Sequence, residues 1–366
     1  MFVSRRFVAC ALCAGWLVGA SALAAPPQNV AYVTSQGGGV SVIDLATLGI
    51  SRQIAVGRDP RGIGITPDGT RLVTANQADA DVSVVDTQSG NTVKRIPVGK
   101  NAEFVRISPD GRFAYVTYEP SSTGKPPAKS ENGEGKEAAS KGGPEVGDDA
   151  VPAEIAVIDL EQLAVTSRLP ASLETEGMEF SPDGKRLVVA NEGDNTVVAY
   201  DLASGKAVKT IDVTPYGQRP RGVKASGDGS TYLVTLENSD NFLVLDSQLA
   251  VVKAVATGQG PYGVAYEPGG AHVWIATARS RQLQVLDART YAPLASIPIG
   301  KRCWHFSFTP DGTKVLAACG RSDSISVIDV ASLKSESTLS GFKQPWGIVT
   351  FPKASGSLDN AGAGAP

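Results

Sequence analysis

The sequence predicts an all-β chain, a seven-bladed β-propeller of four-stranded antiparallel blades, and three observations predict it. The first is a short apolar run ending in aspartate, which recurs at Asp44, Asp86, Asp159, Asp201, Asp246, Asp287 and Asp329, at intervals of 42, 73, 42, 45, 41 and 42 residues. The long interval is a 42-residue repeat carrying 31 extra residues. A period of this size marks an array of four-stranded units. The second is a recurring turn, Thr66-Pro67-Asp68-Gly69, Ser108-Pro109-Asp110-Gly111, Ser181-Pro182-Asp183-Gly184 and Thr309-Pro310-Asp311-Gly312, with looser forms at Ser226-Gly227-Asp228-Gly229 and Glu267-Pro268-Gly269-Gly270. The third is composition: 40 glycines and 19% charged residues suit many short strands joined by tight turns.

The turn places the strands of each repeat. Proline presets φ at the first corner, aspartate bonds back to the local backbone, and glycine takes the left-handed position that closes a hairpin. A second strand follows, as in Tyr115–Tyr118; a third ends at the repeated aspartate; a fourth reads like Val93–Ile96. The first repeat starts at its second strand, Ala31–Thr34, and its missing first strand reappears as residues 346–351. Pairing the two closes the ring and removes the exposed edges of an open array. The seven aspartates stand where a strand enters a turn, so they read as acceptors of local backbone hydrogen bonds, not as catalytic groups.

The propeller then spans residues 25–352, with three flanking or inserted segments. Residues 1–24 read as a signal peptide: Arg5-Arg6 precede an apolar run, and Ala22-Leu23-Ala24 supplies small residues for cleavage. This predicts a periplasmic or secreted protein, and no later stretch is long and apolar enough to span a bilayer. Residues 119–153 form an insertion in blade three rich in Pro, Gly, Ser, Lys and Glu, expected to be disordered, as is the tail 353–366. The net charge of -3 becomes -5 without the leader. A chain with that balance and no basic block lacks the electrostatic footprint of a nucleic-acid binder. A monomer is expected.

The repeat resembles that of the YVTN β-propeller family, the YncE-like bacterial proteins, on Tyr32-Val33-Thr34-Ser35, Val73-Thr74-Ala75-Asn76 and Tyr115-Val116-Thr117-Tyr118. The likeness covers about residues 28–352 and degrades at Trp274-Ile275-Ala276-Thr277 and Leu316-Ala317-Ala318-Cys319. It implies a periplasmic or cell-surface protein, and a subset of such proteins is associated with quinoprotein alcohol oxidation or other periplasmic respiratory systems.

Functional residues are sought where the repeats disagree. Five residues before each turn, at the entrance of the first strand, the blades carry Arg61, Glu103, Glu176, Arg221, Tyr262, Trp304 and Trp346. These form a ring at the channel mouth, opposite the Pro-Asp-Gly turns. Aromatics there supply contact area, and arginine or glutamate fix orientation. The bland reading is that Arg61 pairs with Glu103, and Arg221 with Glu176, across neighbouring blades. In the next column five blades carry glycine and two carry Phe104 and His305, which makes His305 the unusual residue of the mouth. With His272 as the other histidine and no Cys-x-x-Cys motif beyond the leader, which carries Cys10-Ala11-Leu12-Cys13, no metal site and no cofactor are expected. No Gly-x-Ser-x-Gly elbow or phosphate-cradling loop is present, and no catalytic residue is assigned.

Cys303 and Cys319 flank the Thr309–Gly312 turn. A three-residue bulged loop pairing Thr309 with Thr313 sets the two cysteines directly opposite, which predicts a disulfide. The resulting expectation is a secreted, non-catalytic binding or assembly module, accessory to periplasmic quinoprotein or respiratory oxidation, with a protein or small-molecule ligand at the mouth. The alternatives are a lactonase-like hydrolase, in which Glu103, Glu176, Arg61, Arg221 and His305 polarise a lactone and activate water, and a structural protein of the cell envelope.

Overall fold

The computed structural model describes residues 25–120 and 151–360, arranged as seven sheets of four antiparallel strands. The leader 1–24, the bulk of the insertion and residues 361–366 lie outside the described residues. Each sheet is one blade. The first strands, Pro345–Phe351, Pro60–Ile65, Ala102–Ile107, Thr175–Phe180, Pro220–Ala225, Pro261–Tyr266 and Cys303–Phe308, contact one another in cyclic order around a central channel. Blade one closes as predicted: Pro345–Phe351 pairs antiparallel with Val30–Ser35, uniting the two ends of the array.

Burial follows distance from the axis. Val30–Ser35 and Ala102–Ile107 are buried at every position, because the inner strands are sandwiched between neighbouring blades. Their side chains are therefore buried on both faces rather than alternately, and the polar ones among them, such as Glu103 and Arg106, find partners inside. The fourth strands form the rim: Lys334–Leu339 is exposed over nearly its whole length. Every repeated aspartate accepts backbone N–H bonds at its turn, for example Asp86 from Ser89 N at 2.8 Å and Asp329 from Ser332 N at 2.8 Å. The seven are turn residues.

Two details differ from the expected turn. Thr309 N donates to Lys314 O, not to Thr313, so the loop is one residue longer than read, and Thr66 with Arg71 and Ser108 with Phe113 repeat the pattern. The cause is the turn aspartate: Asp311 Oδ1 takes both the Thr309 hydroxyl and the Thr313 amide, which pulls Thr313 into the loop. Cys303 and Cys319 still oppose each other and form a disulfide, because a bulge at Trp304 takes up the shift.

That bulge is general. Between Pro60 and Ile63, and at the same place in the other first strands, two residues oppose one on the second strand. A bulge frees residues from the ladder and re-aims their side chains. The two residues it frees are the two columns singled out above, such as Glu103 and Phe104. Just before it, every blade holds one residue at positive φ: Asp59, Asn101, Glu174, Arg219, Gly260, Arg302 and Gln344.

The tail also departs from expectation. Residues 353–360 are not loose: Ala354, Ser357, Leu358 and Asp359 are buried, and the segment crosses the channel beneath the Pro-Asp-Gly face.

Candidate functional site

The channel is filled in layers. At the strand-one mouth, Arg61 pairs with Glu103 across blades two and three, and Arg221 with Glu176 across blades five and four. These are the pairings of the bland reading, but they do not stop there. Arg221 also binds Glu192, and its Nε lies 2.8 Å from Glu237 Oε2. Arg219 reaches Glu192 and Glu237, while Arg279 and Arg302 both approach Glu237 Oε1 at 3.5 Å. Four guanidinium groups thus share one carboxylate. Burial opposes ionisation of Glu237, but Arg221, Arg219 and Arg279 outweigh it and hold its acid dissociation at about 2.

Glu176 has the opposite character. Burial raises its proton affinity, Arg221 opposes this, and the nearby Glu103 carboxylate adds to it, so the group is pushed up to about 7. One oxygen faces Arg221 and the other accepts the Tyr262 hydroxyl at 3.3 Å. Arg221 also lies over the Tyr262 ring, 4.9 Å from its centroid. Burial raises Glu119 as well, with Glu103 and Glu176 adding to the effect. Glu176 and Glu237, both bonded to Arg221, are thus shifted in opposite directions, and such shifts cluster at functional sites.

Below this lies an aromatic layer. His305 packs against Trp346, Tyr262 and Phe104, with ring centroids 4.3, 5.4 and 6.0 Å away. Trp346 is buried, while Trp304 is half-buried at the rim beside Gly320, where any Cβ would collide with the indole. Burial, aided by Lys224 and Arg221, lowers His305 to about 3, so it is neutral at ordinary pH. A base that weak does not activate water, so of the five groups offered for a lactonase-like reading His305 does not fit that part. The lowest layer is a buried Arg106–Glu179–Lys224 cluster.

The structure therefore gathers all eight predicted residues at one end of the channel. The sequence reading missed Glu192, Glu237 and Glu119, which follow the second strands of blades four, five and three, and Arg219 and Arg302, which precede the first strands of blades five and seven. Their signal was present in the repeat alignment, about two columns before the one read for the arginines and about sixteen after it, past the second strand, for the glutamates. A hollow of ≈ 1290 Å³ opens on the opposite, Pro-Asp-Gly face, lined by turn prolines such as Pro109 and Pro182 and floored by Arg106, Glu179, Lys224 and Asn360. Its size does not make it reactive: the charged groups of its floor are paired with one another and with backbone carbonyls. Among the described residues no group of histidine, cysteine, aspartate or glutamate is arranged to hold a metal ion.

Residues 153–248 match the family model described as lactonase, seven-bladed β-propeller. This stretch holds the last two strands of blade three, all of blade four and three strands of blade five, and it supplies Glu174, Glu176, Glu192, Arg219, Arg221 and Glu237. A search of curated proteins finds no match. Among solved structures, the chain is similar to a functionally unknown protein from Desulfotomaculum acetoxidans, with 18% identity and a TM-score of 0.72 over 88% of this chain and 98% of that one. It is also similar to a periplasmic gluconolactonase of Pseudomonas aeruginosa, with 17% identity, a TM-score of 0.69 and coverage of 88% and 98%. The hydrazine synthase of Kuenenia stuttgartiensis aligns at 22% identity and a TM-score of 0.65, covering 87% and 99%. At these identities the likeness establishes the propeller fold.

Proposed function

We propose that this protein hydrolyses a cyclic ester at the strand-one mouth, as a YVTN-type variant of the lactonase propeller working in the periplasm. The reading rests on one coincidence: the stretch that matches the lactonase family model is the stretch that builds the Glu176–Arg221 centre. The non-catalytic binding or assembly role expected from the sequence gains no support from the comparisons. The compartment is supported by the Cys303–Cys319 disulfide and by the periplasmic gluconolactonase among the structural neighbours.

The chemistry follows from the two partners. Glu176, with a proton affinity near neutrality, takes a proton from water as the oxygen attacks the lactone carbonyl carbon. The guanidinium groups of Arg221 and Arg219 stabilise the negative charge that develops on the carbonyl oxygen, in a setting where burial strengthens the interaction. The acyl–oxygen bond of the ring then breaks, and the proton held by Glu176 passes to the departing ring oxygen, leaving a hydroxy acid. Glu237 fixes the arginines and stays ionised throughout.

The test is the pH dependence of lactone hydrolysis. The kcat/KM for an aldonolactone, corrected for spontaneous hydrolysis, rises through about pH 7 as Glu176 loses its proton. A profile flat between pH 5 and 8 would overturn the assignment.

A further inference from the structure

The C-terminal segment is held by residues it has no local reason to meet. After Pro352 the chain turns under the channel. Phe308 N donates to Ser355 O at 2.9 Å, and the Ser355 hydroxyl donates to Tyr266 O. Gly356 bridges to Ser307, and Ser357 N donates to Phe306 O at 2.9 Å. Beyond the axis, Arg106 donates to Leu358 O, and Lys224 Nζ donates to Asp359 O at 3.0 Å and to Asn360 Oδ1 at 2.9 Å. The Asn360 amide returns a bond to Glu179 at 3.0 Å. A segment rooted in blade one thereby touches blades three to seven.

The buried charges require it. Arg106 and Lys224 share the single carboxylate of Glu179, so one positive charge and several donors remain in a water-poor layer. Unmatched buried donors and charges are costly, and the strap carbonyls match them. Room for the crossing comes from Gly263, where a Cβ would lie 2.9 Å from that of Ser357.

Ser357 connects the strap to the site. Its Oγ lies 3.0 Å from Phe306 N, 3.2 Å from Phe306 O and 3.0 Å from His305 Nδ1. The amide can only donate and the carbonyl only accept, so the arrangement that satisfies both contacts sends the single hydroxyl proton to Phe306 O, which also takes the Ser357 amide. The remaining lone pair then takes a proton from His305 Nδ1. His305 Nε2, which is buried and has no partner among the described residues, is left as an acceptor in the layer beneath Glu176.

We propose that residues 353–360 are a working part of the site, a strap that closes the channel from the Pro-Asp-Gly face and, through Ser357, holds His305 in the Nδ1–H form so that Nε2 accepts a hydroxyl of the ligand. Ser357 is a positioning residue. The strap needs only the fold; the ligand contact of Nε2 rests on the hydrolase reading.

Nitrogen-15 labelling of histidine in the full chain tests this directly, because the sequence has two histidines and His272, bonded to Glu267, serves as the reference. The expected imidazole spectrum shows His305 with protonated Nδ1 and bare Nε2, and this pattern gives way to a mixture of tautomers in Ser357→Ala. In Lys224→Met the Ser357 amide exchanges faster with solvent while blade amides keep their protection. An Nε2–H form in the unaltered protein, an unchanged ring pattern in Ser357→Ala, or unchanged exchange in Lys224→Met would each overturn the proposal. The tautomer readout needs no turnover, so lack of lactone hydrolysis with the expected spectra would sink the hydrolase reading and leave the strap standing.

Discussion

Replacing Arg221 by methionine removes the hub of the mouth while keeping a side chain of similar length. Glu237 retains Arg219, Arg279 and Arg302, and Glu192 retains Arg219. Glu176 loses its direct ion-pair partner and keeps the Tyr262 hydroxyl, with Arg61 and Arg219 acting on it from farther away. Breaking a buried pair from one side costs about 3–5 kcal/mol, because the surviving charge stays buried. The penalty belongs to the ionised carboxylate. Glu176 sits at about 7 in the native chain, above its ordinary carboxylate value, so the folded state keeps this proton while the unfolded chain has lost it, and stability from this group falls as pH rises through that window. Without Arg221 the proton is held more tightly still, and the penalty is relieved at low pH. Urea unfolding at pH 8 should therefore show a loss of about 3–5 kcal/mol with an unchanged m-value, shrinking to less than half at pH 5.5. A loss below about 1 kcal/mol at pH 8, or an equal loss at both pH values, would refute the reasoning.

Three further outcomes follow. His305 falls to about 3 in the folded chain from 6.5, so its contribution is fully present above pH 6.5 and is lost as pH falls toward 3, worth up to about 5 kcal/mol; His305→Gln should flatten acid unfolding over that range by urea titration. Reducing Cys303–Cys319, which are 16 residues apart, should lower stability by about 3 kcal/mol, read as a shift of the urea midpoint with and without dithiothreitol. Gly320→Ala places a methyl against the Trp304 ring and should cost about 1–3 kcal/mol, with a red shift of tryptophan emission as the indole moves into solvent.

The blades were legible because their punctuation is chemical: an aspartate that caps a turn and a proline-glycine corner mark each repeat without help from distant contacts. The mouth ring was legible for the same reason, since aligned repeats expose the column in which they differ. What the column could not convey was convergence. Glu192 and Glu237 matter because Arg221 reaches both, and that depends on the bulges that turn Arg221 into the channel. The disulfide was reached through a register that the turn aspartate alters and the bulge at Trp304 restores, so the pairing held although the loop is longer. The strap was invisible from composition. Residues 355–360 show no periodicity, and what orders them is distant in sequence: Tyr266, Phe306 and Phe308 hold Ser355 and Ser357, while Arg106, Lys224 and Glu179 hold Leu358, Asp359 and Asn360.

The most direct measurement is hydrolysis of glucono-1,5-lactone by the protein and by Glu176→Gln, followed by acid release in a weakly buffered indicator solution, with folding of both checked by circular dichroism. The account predicts hydrolysis well above the buffer rate and a fall of at least about 100-fold in kcat/KM for Glu176→Gln. Equal rates for the two proteins, or a rate no greater than buffer alone, would contradict it.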